Sequence, residues 1–248
     1  PNNTEPAEPS GYSSPTTSPG PDAPHNGAYS THISNCHLNS YTARIGLGVP
    51  RQDFLLVVDT SRTDLWVMAS DCTTCYNAMN KYDGSLSNTF RPEQDDRIRY
   101  QTNPNSPRPV TGRWAYDTVF LTDELVVPGH AFVQLETFPP EHLDGDCSGW
   151  DGYLGLAPPV DGSDKPILNH LRDEDLLEKG LFSLYLDTQD DYTARDIENP
   201  LEPVGEQPER ASSELIWGGE RRSNYHGCLN WHYVVDLPAA IHKQAPVA

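Results

Sequence analysis

Positively charged residues are scarce in this 248-residue chain. Lys and Arg number 17 against 36 Asp and Glu, which gives a net charge of −19 and a pI near 4.6. Such a chain repels polyanions, including nucleic acid and anionic membrane surfaces. Nucleic-acid binding is therefore excluded as a function, and we expect no nucleic-acid or membrane partner.

Long apolar segments are absent as well. No run approaches the roughly 18 residues of a membrane-spanning helix, and no basic segment followed by an apolar one opens the chain. We therefore expect a soluble chain in mature or processed form. Its mass of 27.6 kDa is enough to bury a core without help from metal ions.

Cysteine is present at modest density, with five residues. In an oxidising compartment this number predicts two bridges and one remaining thiol. The spacing of Cys72 and Cys75 fits a zinc half-site, a redox pair or a local disulfide. Because no second pair at this spacing and no suitably placed histidines complete a metal site, we favour the disulfide and expect no metal. The sequence leaves open which of the other three cysteines pair: Cys36, Cys147 and Cys228.

Motifs for cofactors and for serine nucleophiles are also missing. The chain has no phosphate-binding loop, no dinucleotide fingerprint and no Gly-x-Ser-x-Gly turn. We expect no cofactor.

Proline, in contrast, is abundant, with 23 residues. Residues 1–27 are rich in Pro, Ser and Thr and hold almost no large apolar side chain, so little there offsets the entropy of ordering the backbone. We predict a disordered segment over residues 1–40, a folded domain over residues 41–235 and a tail over residues 236–248.

Within that domain, short apolar runs separated by polar turns predict an all-β, mainly antiparallel fold with short helices. The first strands are expected from residue 41 to 58, as two strands joined by a tight turn, and at residues 65–68. Later strands are predicted at 116–121, 124–127, 131–135, 181–186, 214–217 and 229–235. The one convincing helix covers residues 166–180, with Asp164 as its cap and Gly180 at its end.

Five blocks of residues follow one another in a characteristic order. The most specific combines the strand pair from residue 41 to 58 with Asp59-Thr60-Ser61 and with Leu65-Trp66-Val67. The other blocks lie at residues 72–90, 100–119, 150–156 and 181–231. Together they resemble the N-terminal lobe of the pepsin-like aspartic peptidases: the active-site strands, a small disulfide loop, the flap hairpin, a buried glycine-rich strand and the end of the lobe.

The resemblance implies a catalytic role for Asp59. The family uses two carboxylates that share one proton, so that one can activate a water molecule while the other stays acidic. This chain contains no second Asp-Thr/Ser-Gly loop. It therefore resembles one half of such an enzyme.

The loop after Asp59 departs from the family pattern at two positions. Ser61 stands where the family has Gly, and it keeps the backbone N–H that can hold the carboxylate. Arg62 stands where a small hydroxyl residue is usual. Its guanidinium either lies beside Asp59 and holds that carboxylate ionised, or turns outward toward Asp64 and the acidic half of the chain. The sequence favours neither orientation.

The flap also departs from the pattern. Tyr100 matches the tyrosine that would cover a bound substrate and reach the indole of Trp66, and Gln101 and Thr102 follow it. The hairpin tip, however, contains three prolines, which remove backbone donors that a peptide would use.

Two hypotheses follow from the resemblance. The first is a secreted aspartic endopeptidase lobe, with a vacuolar or lysosomal location as the alternative, which acts on peptides or proteins. A C-terminal lobe or a second copy of the chain would then complete the site. The second is a catalytically inactive homologue that binds peptides or proteins.

Overall fold

The computed structural model describes residues 28–35, 40–76, 78–138 without 101–108, 149–159, 165–186 and 213–232; for residues 94–100 it describes the backbone alone. Ten strands and one α-helix lie in these ranges. The strands are β1 (Tyr29–Asn35), β2 (Tyr41–Leu47), β3 (Gln52–Asp59), β4 (Leu65–Met68), β5 (Arg91–Tyr100), β6 (Val110–Phe120), β7 (Val126–Thr137), β8 (Gly152–Gly155), β9 (Phe182–Tyr185) and β10 (Glu214–Trp217). The helix, α1, covers Ile167–Asp173.

Six of the strands close into a barrel. In the order β2, β3, β8, β4, β7 and β6, each strand pairs with the next, and β6 returns to β2 through Phe120 and Val119. The β3–β8 and β4–β7 pairs are parallel, and the other pairs in the barrel are antiparallel. The predicted all-β class is confirmed.

Three of the remaining strands extend the barrel from β2, and the fourth, β5, pairs with β6. β1 pairs with β2 and also with β10, which in turn pairs with β9. Trp217 on β10 is fully buried and donates its indole N–H to Thr31 Oγ1 on β1 at 3.0 Å. The Thr31 hydroxyl donates in turn to the carbonyl of Leu121, so β1 connects the outer strands to the barrel.

Strand β1 corrects the predicted disorder over residues 1–40. Alternate side chains of β1 are buried, at Thr31, Ile33 and Asn35. The predicted boundary at residue 40 is therefore too late, whereas residues 1–27 lie outside the described part. The tail predicted over residues 236–248 lies outside it as well.

The helix is shorter than predicted. It ends at Asp173, and Asp175 adopts a left-handed backbone with φ of 53°. The N–H groups of Asp175 and Leu176 return to the carbonyls of Arg172 and Leu171, which is a Schellman ending. Acidic residues at 173–175 oppose the helix dipole at this end, which explains the early stop. The expected cap, Asp164, lies outside the described residues.

Two further strand predictions are wrong. Residues 124–127 and 131–135 were expected to form two strands, but β7 runs continuously past Pro128, helped by Gly129 at a φ of 62° and by a register shift opposite Asp117 to Val119. The strand expected at residues 229–235 is absent over its described part, residues 229–232. In the described ranges, no helix is long and apolar enough to cross a membrane.

Candidate active site

Asp59 is the last residue of β3, and the loop that follows it is held by β8. Asp59 pairs in parallel with Gly155. The N–H of Leu156 donates to the carbonyl of Asp59 at 2.9 Å, and the N–H of Ala157 donates to that of Arg62 at 2.8 Å. Both ends of the Asp59 to Arg62 loop are thereby tied to the residues that follow β8.

Close backbone packing at this point explains two glycines in the Trp150 to Leu156 block. A Cβ on Gly155 would lie 2.4 Å from the carbonyl oxygen of Asp64. A Cβ on Gly152 would lie 2.0 Å from the carbonyl oxygen of Trp66. Only glycine allows β8 to approach β4 and the loop this closely.

Both carboxylate oxygens of Asp59 have partners in the loop itself. Oδ1 accepts hydrogen bonds from the Ser61 N–H at 2.7 Å and from the Ser61 hydroxyl at 2.6 Å. Oδ2 lies 2.9 Å from Arg62 Nε, as an ion pair rather than an aligned hydrogen bond. The Asp59 side chain is 19% exposed and that of Arg62 is 22% exposed, so this charge pair is largely shielded from water. Of the two orientations that the sequence left open, Arg62 adopts the inward one.

Two aromatic rings hold Arg62 in this position. Its guanidinium carbon lies 4.9 Å from the ring centre of Trp66 and 4.3 Å from that of Tyr153. The two rings belong to residues that face each other across the β4–β8 pair, and they meet edge to face at 6.3 Å. We call Trp66 and Tyr153 the aromatic clamp. Tyr153 was not predicted as a site residue, because nothing in its sequence context shows that it lies next to Arg62.

Asp64, the alternative partner of Arg62, is used elsewhere. It is buried, and its Oδ1 accepts the backbone N–H of Lys165 at 2.8 Å. Lys165 also donates its ammonium group to the hydroxyl of Tyr116 at 2.9 Å. These contacts tie the segment that leads into α1 to the loop after Asp59.

A mostly apolar cavity of about 320 Å³ lies beside Thr60. Thr60 itself is exposed. The rest of the cavity wall comes from the end of β8, from α1 and the residue before it, and from β9: Leu156, Ala157, Pro158, Pro166, Leu168, Asn169 and Phe182.

The predicted flap hairpin is described only in part. Tyr100 ends β5 and pairs with Val110 on β6, which is consistent with a hairpin there. Its side chain, and both Gln101 and Thr102, lie outside the described residues. Trp66 is buried on β4.

Beneath the site, two buried carboxylates, Asp151 and Asp117, accept hydrogen bonds from several segments of the chain. Asp151 accepts the N–H groups of Leu55 at 2.9 Å and Asn80 at 2.7 Å, and burial raises its pKa despite these hydrogen bonds. Asp117 accepts the hydroxyls of Tyr82 and Thr89. Burial, together with the charge and hydrogen bond of Asp117, raises the pKa of Tyr82 far above its ordinary value. These carboxylates are structural, because protein donors occupy them.

The predicted disulfide between Cys72 and Cys75 is confirmed, with an S–S distance of 2.01 Å. Sulfur atoms bonded to each other do not ligate zinc as thiolates, so the zinc alternative does not apply to the structure. Cys228 is exposed with a free thiol. Cys36 and Cys147 lie outside the described residues. Where the structure describes side chains, no group of three or more His, Cys, Asp or Glu residues is placed to hold a metal ion.

Comparison with known proteins agrees with this geometry. The family model of the eukaryotic aspartyl proteases matches residues 40–197. Among curated relatives, pepsin A of Callithrix jacchus is 31% identical over 77% of this chain and 43% of its own length. Pepsin A of Sus scrofa is 31% identical over 77% and 44%. Renin of Echis ocellatus is 27% identical over 85% and 48%.

These alignments have two consequences. The chain spans less than half the length of these relatives. The match over more than half of the chain, together with the barrel and the Asp59 loop, shows that the chain belongs to the eukaryotic aspartyl protease family.

Proposed function

We propose that the chain is the N-terminal lobe of a pepsin-like aspartic endopeptidase that hydrolyses peptide bonds of proteins under acidic conditions. The observation that carries the proposal is the placement of Asp59 at the end of β3, where the Ser61 N–H orients its carboxylate. A carboxylate fixed in this way can act as one member of a pair that activates water.

The proposed mechanism needs two carboxylates, and the chain has a single Asp-Thr-Ser loop, which supplies only Asp59. The second carboxylate must therefore come from elsewhere. A C-terminal lobe or a second copy of the chain would supply it. The lengths of the relatives support the first source, because this chain aligns with less than half of each of them.

The ion pair favours a second candidate function, a non-catalytic protein that binds peptides or proteins. Arg62 Nε lies 2.9 Å from Asp59 Oδ2, where it competes with a second carboxylate or a water molecule for this oxygen. The Ser61 hydroxyl also occupies the other oxygen, Oδ1. In this function the protein keeps the fold, and the Asp59 loop has no catalytic role.

Variants of the loop separate the two functions. The natural gene product and its Ser61→Gly/Arg62→Ser variant are incubated with an unfolded protein at pH 3 to 5, with and without an active-site-directed aspartic peptidase inhibitor. Inhibitor-sensitive cleavage by the natural protein supports the peptidase. Cleavage by the variant alone supports the inactive homologue with a silenced loop.

Asp59→Asn is the matched control, because it removes the charge of Asp59 and preserves its shape. Cleavage that persists in Asp59→Asn, or that the inhibitor does not affect, comes from a contaminating enzyme. If neither the natural protein nor the double variant cleaves, the endopeptidase proposal is wrong.

Location and assembly are part of the same proposal. We place the chain outside the cell, or alternatively in a vacuole or lysosome, and the Cys72–Cys75 disulfide supports an oxidising compartment. Light scattering tests the assembly: a stable dimer supports completion of the site by a second copy, and a monomer argues against it.

A further inference from the structure

Two histidines from different elements meet on the side of the barrel that carries α1. Nδ1 of His130, on β7, lies 3.1 Å from Nδ1 of His170, on α1. The rings are 5.2 Å apart and inclined by 52°. His130 is 1% exposed, whereas His170 is partly exposed.

The protonation state of the two rings decides whether this contact is attractive. Two Nδ1 atoms at hydrogen-bond distance attract each other only when one carries a proton and the other offers a lone pair. The contact therefore forms when both rings are neutral or when one of them is charged. When both rings are protonated, two donors and two positive charges face each other.

The surroundings of His130 disfavour its protonated form. Burial, followed by the nearby charges of His170 and Lys165, lowers the pKa of His130 to about 3. Asp117, which pairs with His130 in the β6–β7 register, accepts hydrogen bonds from the hydroxyls of Tyr82 and Thr89. Arg91 of β5 lies close to Gly129, the residue before His130. Lys165 lies 4.0 Å from Glu93 of β5, and Arg172 and Asp173 of α1 pair with each other.

We propose that the His130–His170 contact is an acid-sensitive latch that holds α1 against the barrel and releases it when both rings carry a proton. The apolar residues Ile167 and Leu171 also bind α1 to the core, so the latch adds pH dependence to a docking that burial drives. The inference does not depend on peptidase activity.

Release of α1 would change the shape of the cavity beside the candidate active site. Leu168 and Asn169 on α1, and Pro166 just before it, form part of the wall of the cavity beside Thr60. Movement of α1 away from β7 opens that wall. The latch thereby links acidity to the shape of the cavity next to the Asp59 loop.

Hydrogen exchange of the full chain between pH 6 and pH 3 tests the latch. Protection factors, corrected for the intrinsic pH dependence of exchange, are measured for the α1 amides of His170 and Glu174, which bond to Pro166 and His170 carbonyls. A group that titrates near 6.5 when released and near 3 when docked makes release about tenfold more favourable per pH unit. We therefore expect α1 protection to fall about tenfold per pH unit, while amides of β2 and β3 remain more protected at each pH.

Variants identify the rings responsible. His170→Asn removes the second charge and supplies an amide oxygen that can accept from a protonated His130, so the pH dependence of α1 protection should weaken. His130→Gln removes the buried titrating group and should flatten the slope as well. His226→Asn, at an exposed histidine outside these elements, is the matched control and should keep the slope of the natural chain.

Two results would overturn the latch. Equal protection of α1 and of β2 and β3 at every pH would show that α1 leaves only with the whole fold. An unchanged slope in His170→Asn would show that the second ring takes no part. Because His170 is partly exposed, that variant stays informative even if His130→Gln fails to fold.

Discussion

The guanidinium of Arg62 lies 4.3 Å from the ring centre of Tyr153, on the strand opposite Trp66. The clamp keeps Arg62 turned toward Asp59, so the orientation of the loop depends on a residue 91 positions further along the chain. This relationship connects the strand register of the barrel to the ion pair that the candidate catalytic residue makes.

Replacing Tyr153 by Leu should release Arg62. The variant removes one of the two ring faces and should lower the free energy of unfolding by about 2 kcal/mol, from lost cation–π attraction and aromatic packing. The side-chain N–H signal of Arg62 should exchange faster with water, which NMR measures alongside urea denaturation. Tyr153→Phe is the control: it keeps the ring, so slow exchange of the Arg62 signal should persist. Equal exchange rates in all three proteins would contradict the clamp.

The buried Tyr82 hydroxyl should contribute measurably to stability. Tyr82→Phe leaves a lone pair of Asp117 without its donor inside the barrel, which should cost about 1–3 kcal/mol. The shift in urea midpoint at constant slope measures this loss. Tyr29→Phe, at a half-buried position on β1, should change stability by less than about 0.5 kcal/mol. A similar effect of the two substitutions would count against a special role for the Tyr82–Asp117 bond.

Glu214 should make stability pH-dependent where β1 and β10 meet. Burial raises its pKa, but hydrogen bonds from Arg221, Ser30 and Asn224 and the charge of Arg221 outweigh burial, so the pKa is lowered. The stabilisation is therefore complete above the unfolded value of about 4.3 and is lost as pH falls through the folded pKa.

Glu214→Gln reveals this contribution. The variant should be less stable than the natural chain at pH 7 by about 1–3 kcal/mol, and the difference should shrink below pH 4. Denaturation at a series of pH values measures it, with the exposed Glu124→Gln as the control. A difference that stays constant from pH 7 to pH 3 would refute the assignment.

The Cys72–Cys75 disulfide should stabilise the chain only modestly. The cysteines are three residues apart, and closing so short a loop restricts the unfolded chain by about 2 kcal/mol. Cys72→Ala/Cys75→Ala should lose about that amount in urea denaturation, whereas Cys228→Ser, at the exposed free thiol, should be neutral. A loss above about 4 kcal/mol would mean that the bridge also maintains native packing around Trp66.

The parts of the fold that could be predicted from sequence are those whose burial pattern is local. β3 and β4 are runs of apolar residues, and β10 matches its predicted bounds because its four residues are all buried. β1 was missed because its buried face carries Thr31 and Asn35, and its strand partner β10 lies some 180 residues away. A polar strand of this kind is recognisable only through its partner.

The candidate site likewise has a part that could be predicted from the sequence and a part that could not. The Asp59 loop was predictable because its motif is continuous in sequence. The inward turn of Arg62 was not, since it depends on Tyr153, which reaches the loop through the β4–β8 register. The pairing of His130 with His170 depends likewise on where α1 docks.

The two edge strands of the sheet affect how the protein behaves in solution. β5 and β9 are the outermost strands of the described sheet. β5 carries six charged residues among its ten, which discourages pairing with another chain. β9, Phe-Ser-Leu-Tyr, carries none and is followed by the exposed Leu186. Of these two outer strands, β9 is therefore the one more open to pairing with another chain at high protein concentration.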